Sequence, residues 1–369
     1  MKTTNERLLS LDALRGFDMF WIIGWGKIWH ELSKLTDWSV INWWSTQMTH
    51  CDWDGFHFYD LIFPLFLFIA GISFPFSLDN SLKKGISKKG LYLRIIKRAV
   101  ILIFLGFVYN GLLKLDFDTQ RYAGVLVRIG LAWMFAAIIF INTRRNARIL
   151  WCAGILIVYW LLLAFVQAPD YPDAPRFSAE GSIACYIDRA FLPGKMMSEL
   201  YDVSGLSGII PAVATTLLGM LTGMFIRSSE NGFTKLKKAG YMSVAGVGLI
   251  ALGLLWGLIF PINKPIWTSS YVCVAGGISL LLFALFYWLI DVCEYRRWTL
   301  FFTVIGMNSI TIYMAQSIIN FQFTANFLFG GLVKLFPKTY TPFLNSLTYI
   351  VICWLFLYFL YRKKIFLKV

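Results

Sequence analysis

Ten apolar runs, each of roughly 19–23 residues, alternate with polar segments along the chain. Each is close to the about 20 residues that a helix needs to cross a bilayer. They fall at residues 11–29, 58–78, 95–113, 122–141 and 149–167, then at 206–226, 240–260, 271–290, 298–320 and 342–361. The pattern predicts an all-α integral membrane protein, a polytopic bundle of about ten transmembrane helices. Two of the polar segments are long. Residues 30–58 are rich in tryptophan (Trp38, Trp43, Trp44, Trp53). Residues 168–205 open with a proline and aspartate cluster and carry a short helical pattern near 185–190. Connections longer than about 12–15 residues are more often functional than decorative. A third segment, 321–341, is apolar enough to lie along the membrane interface. No repeat, low-complexity tract or linker marks off a second domain, so residues 1–369 read as one domain.

Composition agrees with the pattern. Hydrophobic residues make up 58% and charged residues only 15%, against about 45–50% and about 25% in ordinary soluble domains. Too little polar surface remains to cover a soluble globule, and disordered or disulfide-framework classes are excluded. Aromatic residues reach 18%, with 15 Trp and 33 Phe, which suits a chain that faces acyl tails and two interfaces. The net charge of +14 would suit nucleic acid, but its distribution removes that partner. The two ends and alternate connections collect most of the 34 Lys and Arg, whereas the other connections hold more acids than bases. By the positive-inside rule both termini are cytoplasmic, and segments 30–58 and 168–205 are outer loops. No small-residue cleavage site follows the first run, which is expected to stay as a membrane helix.

Six cysteines are scattered, with no CxxC and no Cys/His pair at ligand spacing, so no metal is expected. Cys51 and Cys185 fall in the outer loops, where an oxidising compartment can join them or leave two separate thiols.

Charges inside the apolar runs need a partner or a cavity. Asp12, Arg15 and Asp18 share one helix face, so Arg15 can pair with either carboxylate. The trio is either an ion network that locks the bundle or part of a site. Arg128 lies inside its run, as a snorkelling residue or as a ligand or helix-pair contact. Lys83, Lys84, Lys88, Lys89, Arg94, Lys97 and Arg98 are chiefly an orientation signal. Arg94 and Arg98, one turn apart, can also hold phosphates. Of the three histidines, His30 and His57 read as structural. His50 is set apart by Asp52, Asp54, Asp60 and Trp53 around it. An imidazole, with its ordinary pKa near 6.5, can take a proton from an amine or hydroxyl at neutral pH. No GxSxG, HExxH, Walker A or dinucleotide fingerprint accompanies it.

The segments SLDALRGFDM, HCDWDGFHFYDLIFPLF, GVLVRIGL, YIDR, INKPIWTSSYV, and WLIDV followed by FFTVIGMNSITIY occur in that order. This ordered set resembles the family of heparan-alpha-glucosaminide N-acetyltransferase and its bacterial relatives, within the wider group of transmembrane acyltransferases. The resemblance implies a single transmembrane acyltransferase domain that moves acetyl from cytoplasmic acetyl-CoA to the amine of a terminal glucosamine-type sugar. The acceptor lies on the far side of a bacterial inner membrane, with the active site opening toward the periplasm. The family's catalytic histidine falls on His50, with its carboxylate partner ten residues later at Asp60.

Acetyl-CoA is polyanionic, so its nucleotide should meet the basic face, where Arg15 and Arg98 are candidates. Arg128 and Asn308, with Lys264 on the acceptor side, are candidate donors to the oxyanion. Asp188, Asn263 and Ser269 are weaker candidates for sugar contacts. His50 can serve as general base or as an acetyl-carrying nucleophile. The expected partners are acetyl-CoA, an amino-sugar or glycan acceptor and the lipid bilayer, with a homodimer left open. The competing class is a multispan transporter or flippase of a glycan or amphiphile without acyl transfer.

Overall fold

The computed structural model describes residues 8–228 and 232–367. Among the described residues the fold is helical, with three isolated antiparallel bridges as the extended pairings. The first apolar run becomes α1 (Leu9–Phe20), a π-helical turn (Trp21–Trp25) and α2 (Gly26–Ser33). The turn is broken at Gly24, whose φ of 141° is open to glycine and strained for other residues. Then follow α3 (Ser39–Gln47), α4 (Ile62–Lys83), α5 (Lys88–Tyr109), α6 (Val125–Asn142) and α7 (Arg145–Phe165). The short helix expected near 185–190 is α8 (Ile183–Phe191). Next come α9 (Ile209–Arg227), α10 (Lys235–Gly257) and α11 (Ser269–Tyr287). The chain continues with α12 (Thr299–Met307), α13 (Ser309–Ile318), α14 (Phe321–Val333) and α15 (Thr341–Arg362). Local signals set several starts. Ser87 and Thr234 cap α5 and α10 by accepting from Gly90 N–H and Lys237 N–H. Pro342 sits in the first turn of α15, where a missing N–H costs nothing.

Among the described residues seven helices are long and apolar enough to cross a membrane: α4, α6, α7, α9, α10, α11 and α15, some with an adjoining turn. The pair α12–α13, bent by 67°, brings the number to eight if it is one span. The other two of the ten expected runs are helical but differ in kind. The first is the broken α1–α2 stretch. The second is α5, whose leading half carries Lys88, Lys89, Arg94, Lys97 and Arg98.

The chain divides into two compact units. Of the described residues, one holds those up to His50, His57–Ile62 and those from Leu282 onward. Its centre is the crossing of α1 and α12. A Cβ at Gly16 would collide with the Phe302 carbonyl, and one at Gly306 with the Asp12 carbonyl. Small residues of this kind let membrane helices approach backbone to backbone. Met19, Phe20, Ile23, Val304, Ile312, Cys353 and Leu357 are buried around that contact.

The other unit holds Cys51–Phe56 and Phe63–Leu281. Here α4 and α9 approach through Gly71, Gly219 and Gly223, each pressed against a carbonyl of the opposite helix. Its 168–205 segment packs through Ile183 and Cys185 on Tyr159, Leu163, Phe260 and Ile266.

Candidate functional site

The loop between α3 and α4 is short of regular structure and held by side chains. In the first unit Phe58 N–H donates to Gln47 Oε1 at 3.0 Å. The His57 ring meets the Thr49 carbonyl through Nδ1 at 3.1 Å. One 3-10 turn, Phe58–Leu61, then delivers Asp60 to the head of α4. Asp60 is buried at 1% exposure. Its Oδ2 accepts from the His57 backbone N–H at 3.0 Å, and its Oδ1 lies 2.7 Å from His50 Nδ1. An ionised carboxylate only accepts, so the pair assigns the proton of a neutral imidazole to Nδ1 and makes Nε2 the acceptor. The His50 side chain remains 49% exposed, with the Tyr59 ring tilted against it at 4.9 Å between centroids. A buried carboxylate thus orients an accessible imidazole, the arrangement a general base or nucleophile requires. His57, read from sequence as structural, is the residue that fixes the second oxygen of Asp60.

The same unit holds three further candidates. Arg15 Nη1 pairs with Asp12 Oδ1 at 3.3 Å, the nearer of the two carboxylates offered by the sequence. Asp18 is fully buried, with no hydrogen-bond partner for either oxygen among the described residues. Asn308 stands at the break between α12 and α13, 2% exposed, and its Oδ1 accepts from Thr311 Oγ1. Its Nδ2 is buried without a hydrogen-bond partner among the described residues.

In the second unit Arg128 is 1% exposed and donates through Nη2 to the Gly205 carbonyl at 2.9 Å. Its guanidinium lies 4.9 Å from the Trp267 ring and 5.9 Å from Phe63, while Nε and Nη1 have no hydrogen-bond partner among the described residues. Trp267 is itself buried at a positive φ of 53°, a conformation that costs a bulky residue energy. Asp188 is engaged by backbone: Oδ1 accepts from Leu206 N–H at 2.8 Å and Oδ2 from Asp202 N–H at 3.4 Å. Burial pushes its carboxyl up to about 6, against the lowering effects of the Leu206 N–H and of Arg128. Asp202 responds the other way. Burial would raise it, but the Arg121 fork at 2.7 and 2.6 Å, with N–H groups of Ser204 and Met197, holds it below the usual carboxylate range. Arg189, beside Asp188, grips Asp170 through Nε and Nη2 at 2.7 and 2.9 Å and also donates to three loop carbonyls.

Asn263 spends all its polar atoms on its own turn and on the loop from Cys51 to Phe56. Nδ2 donates to Asp54 Oδ1 at 3.1 Å, and Oδ1 accepts from Ile266 N–H at 3.0 Å. Ser269 Oγ donates to the Leu156 carbonyl at 2.7 Å and is fully buried. Lys264 is buried in the same turn. Arg98 lies with its guanidinium 4.2 Å from the Trp133 ring centroid. No disulfide joins Cys51 to Cys185 among the described residues, and burial pushes the Cys185 thiol up to about 12. The Arg121–Asp202 pair and Trp267 were outside the candidates drawn from sequence. The former joins positions 81 apart and leaves no local signal, whereas Trp267 lay inside the quoted INKPIWTSSYV segment.

Comparison with known proteins adds the family. The family described as heparan-alpha-glucosaminide N-acetyltransferase, catalytic, matches residues 7–265. The heparan-alpha-glucosaminide N-acetyltransferase of Homo sapiens is 26% identical over 420 aligned positions, covering 98% of this chain and 60% of the relative. That of Mus musculus is 24% identical, covering 100% of this chain and 61% of the relative. The chain therefore spans about three fifths of the length of the curated relatives it matches. With most of its length inside the match, and the histidine-bearing loop and the YIDR segment among the matched residues, the chain belongs to the heparan-alpha-glucosaminide N-acetyltransferase catalytic family.

Proposed function

We infer that the protein is a transmembrane N-acetyltransferase, in which residues 1–369 act as one domain. It carries acetyl from acetyl-CoA on the cytoplasmic face to the amine of a terminal glucosamine-type sugar on the periplasmic face of an inner membrane. The observation that carries this reading is the 2.7 Å contact from Asp60 Oδ1 to the accessible His50.

In the direct route His50 Nε2 takes a proton from the attacking amine as its nitrogen bonds to the thioester carbonyl carbon. The C–S bond then breaks, and the departing CoA sulfur recovers the proton. In the two-step route Nε2 attacks the thioester first and the C–S bond breaks to release CoA thiolate; the amine then takes the acetyl group as the C–Nε2 bond breaks, and its proton passes to the freed Nε2. Asp60 holds the ring in the required tautomer along either route and stabilises the imidazolium. Asn308, Arg128 or Lys264 is the donor proposed for the oxyanion, and Asn308 and Arg128 support the role with buried N–H groups that lack partners among the described residues. Arg15 and Arg98 are proposed to meet the CoA phosphates. Asp188, Asn263 and Ser269 reach the acceptor, in this reading, through the loops they hold.

A carrier of a glycan or amphiphile is the competing reading. The break at Asn308 and the interrupted turn at Gly24 favour it, because broken spans line substrate paths in transporters. The deciding experiment supplies purified protein in vesicles with labelled acetyl-CoA and a panel of amino sugars. Label transferred to an amino-sugar nitrogen supports the enzyme. Glycan uptake with acetyl-CoA unconsumed would establish the carrier.

A further inference from the structure

The spans α7 and α9 pack side by side, and at one end they leave a cavity of about 250 Å³. Its lining is Arg145, Ile149, Leu221, Met224, Phe225 and Ser228. Arg145 is the first residue of α7 and Ser228 follows the last residue of α9, so the polar end of the cavity lies where two membrane-spanning helices stop. Ile149, Leu221 and Phe225 carry it toward the apolar part of the spans. We propose that this cavity binds an anionic glycerophospholipid, its phosphate on Arg145 and one acyl chain along Ile149, Leu221 and Phe225.

Charge supports an anion there. Arg145 is exposed and has no ion pair or hydrogen bond among the described residues. Arg148 gives Nε and Nη2 to the Phe140 carbonyl at 3.1 and 2.8 Å, and Nη1 to the Met224 sulfur at 3.0 Å. Lys238 Nζ donates to the carbonyls of Ile226 and Ser228 at 2.6 and 2.7 Å. Neither contact neutralises a charge, and no carboxylate lines the cavity among the described residues. Arg145 therefore lines a mostly apolar space at the ends of two spans, and Arg148 and Lys238 stand behind it, bonded to the lining residues Met224 and Ser228. A guanidinium matches phosphate through a fork of N–H donors, and basic pockets between membrane helices suit anionic headgroups. A zwitterionic headgroup would bring its own cation into this field, and free phosphate would leave the apolar wall unused.

The test uses the full chain in mild detergent, with phosphatidylglycerol, phosphatidylcholine or inorganic phosphate added. Phosphatidylglycerol should raise Tm by a few degrees and be retained in native mass spectra, as expected of a ligand that binds the folded state. Phosphatidylcholine and inorganic phosphate should do neither. Arg145→Glu should weaken phosphatidylglycerol binding about tenfold or more while keeping its Tm in plain detergent, since an acidic residue suits the first turn of a helix. Ile149→Trp, at a half-exposed position, should block the acyl path and remove the same increment. A phosphatidylglycerol increment that survives in Arg145→Glu would overturn the proposal. So would an equal increment from phosphatidylcholine. An equal increment from inorganic phosphate would reduce the cavity to an ion site and reject the lipid.

Discussion

Asp60 divides its two oxygens between the His50 ring and the His57 amide, so the imidazole is held by a group that cannot itself turn. Removing the ring removes the proposed base but not the proposed nucleotide contacts of Arg15 and Arg98, which lie on other helices. His50→Ala should therefore keep acetyl-CoA affinity, measured by titration, and lose about 10²–10⁴-fold in acetyl transfer. Asp60→Asn should cut transfer while also sparing CoA binding, because an amide can present N–H where the ring needs an acceptor. Near-normal transfer by folded His50→Ala would take the residue out of the mechanism. Asp188 gives a second prediction at this scale. Burial holds its folded pKa at about 6, above the ordinary carboxylate value. Folded protein thus keeps a proton that unfolded chain releases, and stability falls as pH rises from about 4 to about 6, then levels. The shift corresponds to about 3 kcal/mol. Thermal melts in detergent should show this slope in the wild type and a flatter one in Asp188→Asn, relative to each other, whatever Asp202 adds to both. Equal slopes would mean that Asp188 is ionised in the fold.

Helices meet through glycines in both units, and that makes their packing brittle at named positions. Gly16→Leu or Gly306→Leu would drive a side chain into a facing carbonyl, so each should destabilise by at least about 1–3 kcal/mol. Gly154, also in a helix, has open space where its Cβ would go. Gly154→Ala should then raise stability by about 0.5–1 kcal/mol. Melts of the three variants check both signs together, and a destabilised Gly154→Ala would show that an unseen neighbour covers that face. Most spans are legible in the sequence because run length and hydropathy are local properties. α7, α9 and α15 need nothing else. The interruptions are less legible. Gly24 sits between two tryptophan-rich turns that read as continuous helix, and only its φ of 141° reveals the break. Asn308 lies in an apolar run, where one amide does not predict a 67° bend. The candidate site divides the same way. His50 stands out from the sequence by its acidic surroundings, but Asp52, Asp54 and Asp60 are equal candidates there, and the family resemblance is what pairs it with Asp60. Asp188 and Asn263 look available for a sugar, but their backbone partners come from turns that no spacing announces.

At the scale of the molecule the basic and acidic connections alternate, and the membrane reads that alternation as orientation. The link between α11 and α12 carries Arg296 and Arg297 beside an exposed thiol, Cys293. In sealed right-side-out vesicles an impermeant maleimide should miss Cys293 and label it only after permeabilisation. A cysteine placed at exposed Asp173, in the 168–205 segment, should react at once. Labelling in the reverse order would invert the sidedness and with it the direction of acetyl transfer. The basic face also has a proposed use, since the nucleotide of CoA brings several negative charges to it. Arg15→Ala and Arg98→Ala should each weaken CoA binding and flatten its dependence on salt, because charge-assisted contacts to phosphate are strong and screened. Both side chains have other work, Arg15 with Asp12 and Arg98 over Trp133, so weaker binding alone would not separate ligand from structure. Acetyl-pantetheine makes the separation, because it keeps the thioester and lacks the nucleotide. Its turnover should be unchanged in both variants if the arginines hold phosphates. If acetyl-pantetheine and acetyl-CoA decline in parallel, the arginines support the bundle, and the nucleotide is held elsewhere.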